Sequence, residues 1–223
     1  LVLKSSTHRT VFALMKKHLD ECLGKRNIGV LTGKEWKTNR AAIVKALHAT
    51  SVQASHGEKM REATAVLIDS LSRKRIENQI SFEVGDLMKC LTMEIFGRTA
   101  FSQDFGCCSN LELSPIANAF EYLMSEMMRR ISGMLDPTNY VYSLPLAKNR
   151  RFHQERSFLR NYIKEITVKR REDLKASPDD CPMDLLTHLI RVQSVEDDSD
   201  ETLSDVLMSL LFAGYETTSV ALT

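Results

Sequence analysis

Glycine and proline are scarce in this chain, at 9 and 5 of 223 residues. So few breakers argue against many short strands joined by tight turns and favour long helices, so the expected fold is all-α. Charge of one sign is lacking as well: 30 Lys+Arg stand against 29 Asp+Glu, a formal net charge of +1. That balance removes the electrostatic case for a nucleic-acid partner or an anionic membrane surface. No window approaches the roughly 18 uninterrupted apolar residues of a spanning helix, and no basic n-region leads into a short apolar stretch with a small-residue cleavage site. Cysteines are few and odd in number, Cys22, Cys90, Cys107, Cys108 and Cys181. None forms the C-x-x-C spacing of a zinc or redox site, so they read as reduced thiols of an intracellular chain, with no metal ligands among them. What is present, 43% hydrophobic and 26% charged residues, is the composition of a globular chain long enough to bury a sizeable core.

Hydrophobic spacing divides the chain into helices. Residues 9–23 form a basic amphipathic segment stopped by Gly24, and Trp36, Ala41, Val44 and Leu47 mark a helix from Lys34 to about Ser51. Met60, Ala63, Leu67 and Leu71 recur at three and four, on one face of a helix that ends in Arg73, Lys74 and Arg75. The stretch Phe82 to Phe101 is hydrophobic enough to be buried on more than one side. Ser114 and Pro115 are an N-cap and first-turn proline for the segment carrying Phe120, Leu123, Met124, Met127 and Met128, which ends near Gly133. Asp136, Pro137, Tyr140, Tyr142 and Pro145 form a connector. Phe158, Leu159, Tyr162, Ile163 and Ile166 belong to one long helix reaching Lys175, whose Lys169, Arg170 and Arg171 read as a solvated last turn. Pro178 and Pro182 bracket a loop before a short helix with Leu185, Leu186, Leu189 and Ile190. The acidic run from Glu196 to Glu201 leads into a last helix from about Leu203 to the end of the chain.

Chemistry appears in that last helix, at Ala213, Gly214, Tyr215, Glu216, Thr217 and Thr218. Spacings of three and four place Ser209, Phe212, Ala213, Glu216, Thr217 and Val220 on one face. A helix buried for stability alone would carry larger apolar groups at Ala213 and Gly214 and would avoid a carboxylate beside two β-branched alcohols. Small residues admit something flat, and an acid next to an alcohol can pass protons. The plain alternative is a buried helix whose Glu216 points to solvent and whose threonines bond the backbone three or four residues back.

The string A-G-x-[DE]-T-[TS] resembles the signature of the central helix of the cytochrome P450 family, the haem-thiolate monooxygenases. By average residue usage it should arise by chance in such a chain on the order of once in a thousand. A second motif, W-x-x-x-R, is matched by Trp36 and Arg40, one turn apart. Both side chains are pure donors and suit a carboxylate, which in the family is a haem propionate; read alone, the pair could simply stack. The stretch Leu91 to Phe101 is similar to the family's helix ending in apolar-G-x-x-A-F, so the resemblance runs over nearly the whole chain. It implies that residues 112–132, the connector and the helix 150–175 roof a substrate pocket.

The resemblance implies residue roles as well. Glu216 and Thr217 would be catalytic, passing protons to dioxygen on the iron. Trp36, Arg40, Ala213 and Gly214 would bind haem, and Ser209, Phe212 and Ala213 would line the pocket of a lipophilic small-molecule substrate. Electrons would come from NADPH through a reductase or ferredoxin. The family's iron ligand is a cysteine in an F-x-x-G-x-R-x-C-x-G loop. None of the five cysteines has that setting, and the two E-x-x-R matches, Glu58 with Arg61 and Glu126 with Arg129, precede the central helix. The chain therefore reads as one incomplete domain, 1–223. It would be the N-terminal part of a monooxygenase, inactive alone, with Val206, Leu210 and Phe212 left without partners and a membrane anchor at the endoplasmic reticulum or another organelle possible ahead of Leu1. The rival reading is a truncated non-catalytic pseudoenzyme or helical interaction module.

Overall fold

The computed structural model describes residues 13–78, 82–132, 142, 144–192 and 200–223. Within them the chain is helical and holds no strand: α1 (Ala13–Leu23), α2 (Gly33–Leu47), α3 (Thr50–Asn78), α4 (Val84–Phe96), a short α5 (Cys107–Asn110), α6 (Pro115–Ser132), α7 (Ala147–Ala176), α8 (Leu185–Val192) and α9 (Asp200–Leu222). The all-α expectation holds. Residues 9–12, the connector residues Asp136, Pro137 and Tyr140, and the acidic residues 196–199 lie outside the described part.

Local signals set several boundaries. Gly24 adopts φ +101° and closes α1, as glycine can without a Cβ penalty. At the start of α6 the Ala117 N–H donates to Ser114 Oγ at 3.3 Å and the Asn118 N–H to the Ser114 carbonyl at 2.8 Å, with Pro115 in the first turn.

The helix expected to reach Ser51 stops at Leu47, and α3 begins at Thr50. No glycine or proline marks the junction. Packing decides it: Ile43 and Ala46 enter the main core, whereas Ala63 and Leu67 form a second cluster with Leu91 and Cys108.

Phe82 to Phe101 behaves as a doubly buried segment, with Cys90, Leu91, Thr92, Met93 and Glu94 all buried in succession. Its last turn widens to a π-helical turn, Gly97–Phe101. A Cβ on Gly97 would sit 2.9 Å from Phe105 Cδ2 and 3.0 Å from the Gln103 carbonyl, so only glycine lets the chain fold back there.

The main core is built where α9 lies along α4 and where α6 lies along α7. Phe120, Leu123, Met127, Phe152, Leu207 and Tyr215 are 1% exposed or less. Two cations share this interior. Arg130 is enclosed by Glu126 and Asn149 and stacks over the Phe152 ring at 3.9 Å. Arg170 corrects the solvated last turn expected of α7: it is buried, ion-paired with Asp184 at 2.6 Å, and donates to the Phe101 carbonyl at 3.0 Å. The basic run thus carries a tie to α8, because a buried guanidinium requires a carboxylate and carbonyl acceptors around it. The apolar residues expected to lack partners on α9 are also packed: Val206 is buried, and Leu210 and Phe212 are half-buried against the core. No helix among the described residues is long and apolar enough to cross a membrane.

Candidate functional site

The central helix α9 runs unbroken for 23 residues. Over its second half, Leu211, Tyr215 and Ser219 face the core, while Ala213, Gly214, Thr217, Thr218 and Val220 are exposed. The face assigned from spacing therefore divides. Ala213, Thr217 and Val220 lie open, Phe212 and Glu216 are half-buried, and Ser209 is buried with its hydroxyl on the Asp205 carbonyl at 2.7 Å. Ser209 comes one turn earlier, where α9 is still enclosed by the core, so it is not part of the open surface.

Thr217 donates its hydroxyl to the Ala213 carbonyl. That bond is the backbone satisfaction open to any helical threonine; it also fixes the hydroxyl oxygen beside the small Ala213, with its acceptor capacity still available. Glu216 makes no hydrogen bond or ion pair through its carboxylate among the described residues, yet it is close enough to Lys89 to favour that residue's charged form. Gly214 faces Phe96, whose ring carbon would lie 3.5 Å from an added Cβ. Its small size gives room to the end of α4 and is not a strict steric demand.

Tyr215, the variable position of the motif, has no assigned role in the sequence reading. Its ring is fully buried edge-on against Phe120 at 5.6 Å, and its hydroxyl donates to Glu121 Oε2 at 2.9 Å. The other carboxylate oxygen of Glu121 accepts from Lys89 at 2.6 Å. Burial, then the Glu121 carboxylate, pushes the Tyr215 phenol up, and the hydrogen bond to Glu121 raises Lys89. This network joins α9, α6 and α4. Nothing in sequence pairs Tyr215 with a residue 94 positions earlier; the available signal is a phenol on a buried helix face, which requires an acceptor.

The first turns of α2 bring Trp36 and Arg40 together, with the guanidinium 5.4 Å from the indole centroid. They stack, and they also flank a hollow of about 260 Å³ shared with Ile28, Ile43, Val44 and Leu210. Leu210 belongs to α9, one turn before Ala213. The hollow thus brings Trp36 and Arg40 against the helix that carries the second motif, one turn ahead of the motif itself. Arg40 is exposed and has no ion pair among the described residues. A donor fork beside an apolar hollow fits a group that carries carboxylates.

The described cysteines are all buried, and no group of three or more His, Cys, Asp or Glu is placed to hold a metal ion among the described residues.

Comparison with known proteins bears on the family and the fold. Cyclooctatin synthase of Streptomyces melanosporofaciens is 31% identical over 202 residues, covering 87% of this chain and 40% of that protein. Cytochrome P450 monooxygenase FUM15 of Gibberella moniliformis is 28% identical over 211 residues, covering 88% of this chain and 35% of its own length. The chain thus spans about two fifths of such relatives. Among solved structures, the crystal structure of the cytochrome P450DA heme domain superposes with a TM-score of 0.69 at 20% identity, over 96% of this chain and 43% of that one. The fold is the same. Because the sequence model of the family "Cytochrome P450" matches residues 1–223 throughout, the chain belongs to the cytochrome P450 family.

Proposed function

We propose that the chain is part of a haem-dependent monooxygenase that inserts one oxygen atom of O2 into a lipophilic substrate. The observation that carries this reading is the shared border of the hollow: Trp36 and Arg40 on one side, Leu210 of the motif-bearing α9 on the other. When bound through a cysteine thiolate, haem supplies dioxygen activation and O–O cleavage. Trp36 and Arg40 would hold its propionates, Arg40 by a two-pronged charge-assisted contact. Ala213 and Gly214 keep the exposed face of α9 low. Thr217 holds its hydroxyl at Ala213 and so presents an oxygen that accepts and passes a proton, while half-buried Glu216 links that position to solvent. Phe212 and Ala213 supply apolar wall for the substrate, with Ser209 packed behind it. NADPH would deliver electrons through a reductase or ferredoxin partner.

The test uses the complete protein that carries this chain. Arg40→Gln and Trp36→Phe should each lower the haem retained per polypeptide after gel filtration, several-fold for Arg40→Gln. Unchanged haem content in the Trp36→Phe, Arg40→Gln double variant would remove the assignment of this hollow.

A further inference from the structure

A second concavity lies away from the hollow. It is a groove of about 860 Å³ between α1, the loop after it, α7 and the first turns of α9. Its floor is built rather than accidental. Asp205 of α9, 3% exposed, accepts from the Arg26 N–H at 2.9 Å and is ion-paired with Arg160 at 2.7 Å. A Cβ on Gly24 would overlap the Asp205 carboxylate, so glycine is needed there for space as well as for φ.

The charges in the groove do not balance. Its four acids already have cations: Asp20 has Lys16 at 2.6 Å, Glu21 has Arg130 at 3.4 Å, and Glu201 and Asp205 share Arg160 at 4.0 and 2.7 Å. Three cations on its lining, Lys17, Lys25 and Arg156, have no ion pair or side-chain hydrogen bond among the described residues. Lys17 and Lys25 are exposed and lose little by standing in water. Arg156 differs. It is half-buried, and its Nε is closed off from water with no acceptor. Burial, and then the neighbouring Arg160 one turn along α7, lowers its affinity for its proton, against the smaller opposing pulls of Cys22, Asp205 and Glu21. A half-buried guanidinium that lines the groove without an ion pair is costly, and its planar donor fork suits an oxygen anion above all.

We propose that this groove binds an oxyanion headgroup, a phosphate or carboxylate on a small ligand, with Arg156 as the anchor and Lys17 and Lys25 at the rim. The site needs neither haem nor oxygenase activity, so it stands or falls separately from the function proposed above.

Isothermal titration of the complete protein with inorganic phosphate reads it directly. Phosphate should bind, and more weakly as salt rises. Arg156→Gln should weaken binding about tenfold or more, the loss of one charge-assisted contact. Arg156→Lys should keep most of it, and Arg150→Gln, exposed on the same helix outside the groove, should change nothing. Octyl phosphate separates two sources of the anion: tighter binding than phosphate indicates an amphiphile lying in the groove, equal binding a free oxyanion, and either supports the site. Absence of binding at tens of millimolar phosphate, or equal affinity in wild type and Arg156→Gln, overturns it. If Arg156→Gln loses its helical circular dichroism, the surface pair Lys17→Gln, Lys25→Gln takes its place. That pair should weaken phosphate about threefold, and no change there also overturns the proposal.

Discussion

The Tyr215 hydroxyl donates to Glu121 Oε2 at 2.9 Å, joining the helix that bears the Ala213–Thr218 motif to α6. Because Lys89 of α4 holds the other oxygen of Glu121, one carboxylate fixes the rotation of α9 against two neighbouring helices. The rotation matters: it turns Tyr215 inward and leaves Ala213, Gly214 and Thr217 on the open side.

Tyr215→Phe should therefore destabilise the fold by about 1 kcal/mol, the worth of one partly buried hydrogen bond. Tyr215→Ala should cost about 3–5 kcal/mol, because a large buried ring is lost as well. Urea denaturation followed by circular dichroism measures both. A Tyr215→Phe variant as stable as wild type would show that the Glu121 contact contributes nothing.

Acid should weaken the fold through His18. This side chain is buried, lies edge-on to the Tyr142 ring at 5.4 Å, and has Glu21 at 3.6 Å. Burial first, then the charges of Arg130 and Lys17, hold its pKa below the usual 6.5 despite the opposing pull of Glu21. The unfolded chain takes up a proton near pH 6.5 that the folded chain refuses, so the stability His18 contributes is complete above that pH and is lost as pH falls below it. The urea midpoint should drop between pH 7.5 and 5.5, and His18→Phe should flatten that drop. An equally steep drop in His18→Phe would contradict the assignment.

Four of the described thiols are held away from the thiolate form. Burial pushes Cys22, Cys90 and Cys108 up to about 12 and raises Cys107. Cys181 is buried, with its thiol on the Ser177 carbonyl at 3.5 Å. Mixed with haemin and reduced under carbon monoxide, this chain should give no red-shifted thiolate-type Soret band. Such a band, lost on replacing any one of the five cysteines, would place a ligand inside the chain.

The sequence made the helices legible where periodicity and caps coincide, as at Ser114 and Pro115, and the two motifs where small or donor residues occur against expectation. It did not show the break between Leu47 and Thr50, because no breaker residue marks it and only the separation of Ile43 from Ala63 into different apolar clusters explains it. Arg170 was misread for a related reason. In sequence it is one of three basic residues at a helix end, and only the approach of Asp184 from the next loop makes it a buried pair. Of the face assigned on α9, Ala213 and Thr217 are exposed while Ser209 is enclosed, since a spacing rule carries no knowledge of where neighbouring helices close over one end.

The measurement that bears most directly on the proposed oxygenase is coupling in the complete protein. Thr217→Ala removes the hydroxyl held at Ala213 and keeps helix propensity, so haem should load and substrate bind as in wild type. Less of the electron donor consumed should then reach oxygenated product and more should appear as hydrogen peroxide, while Thr218→Ala should change the ratio much less. Equal coupling in wild type and Thr217→Ala, or a larger loss in Thr218→Ala, would contradict the role given to Thr217.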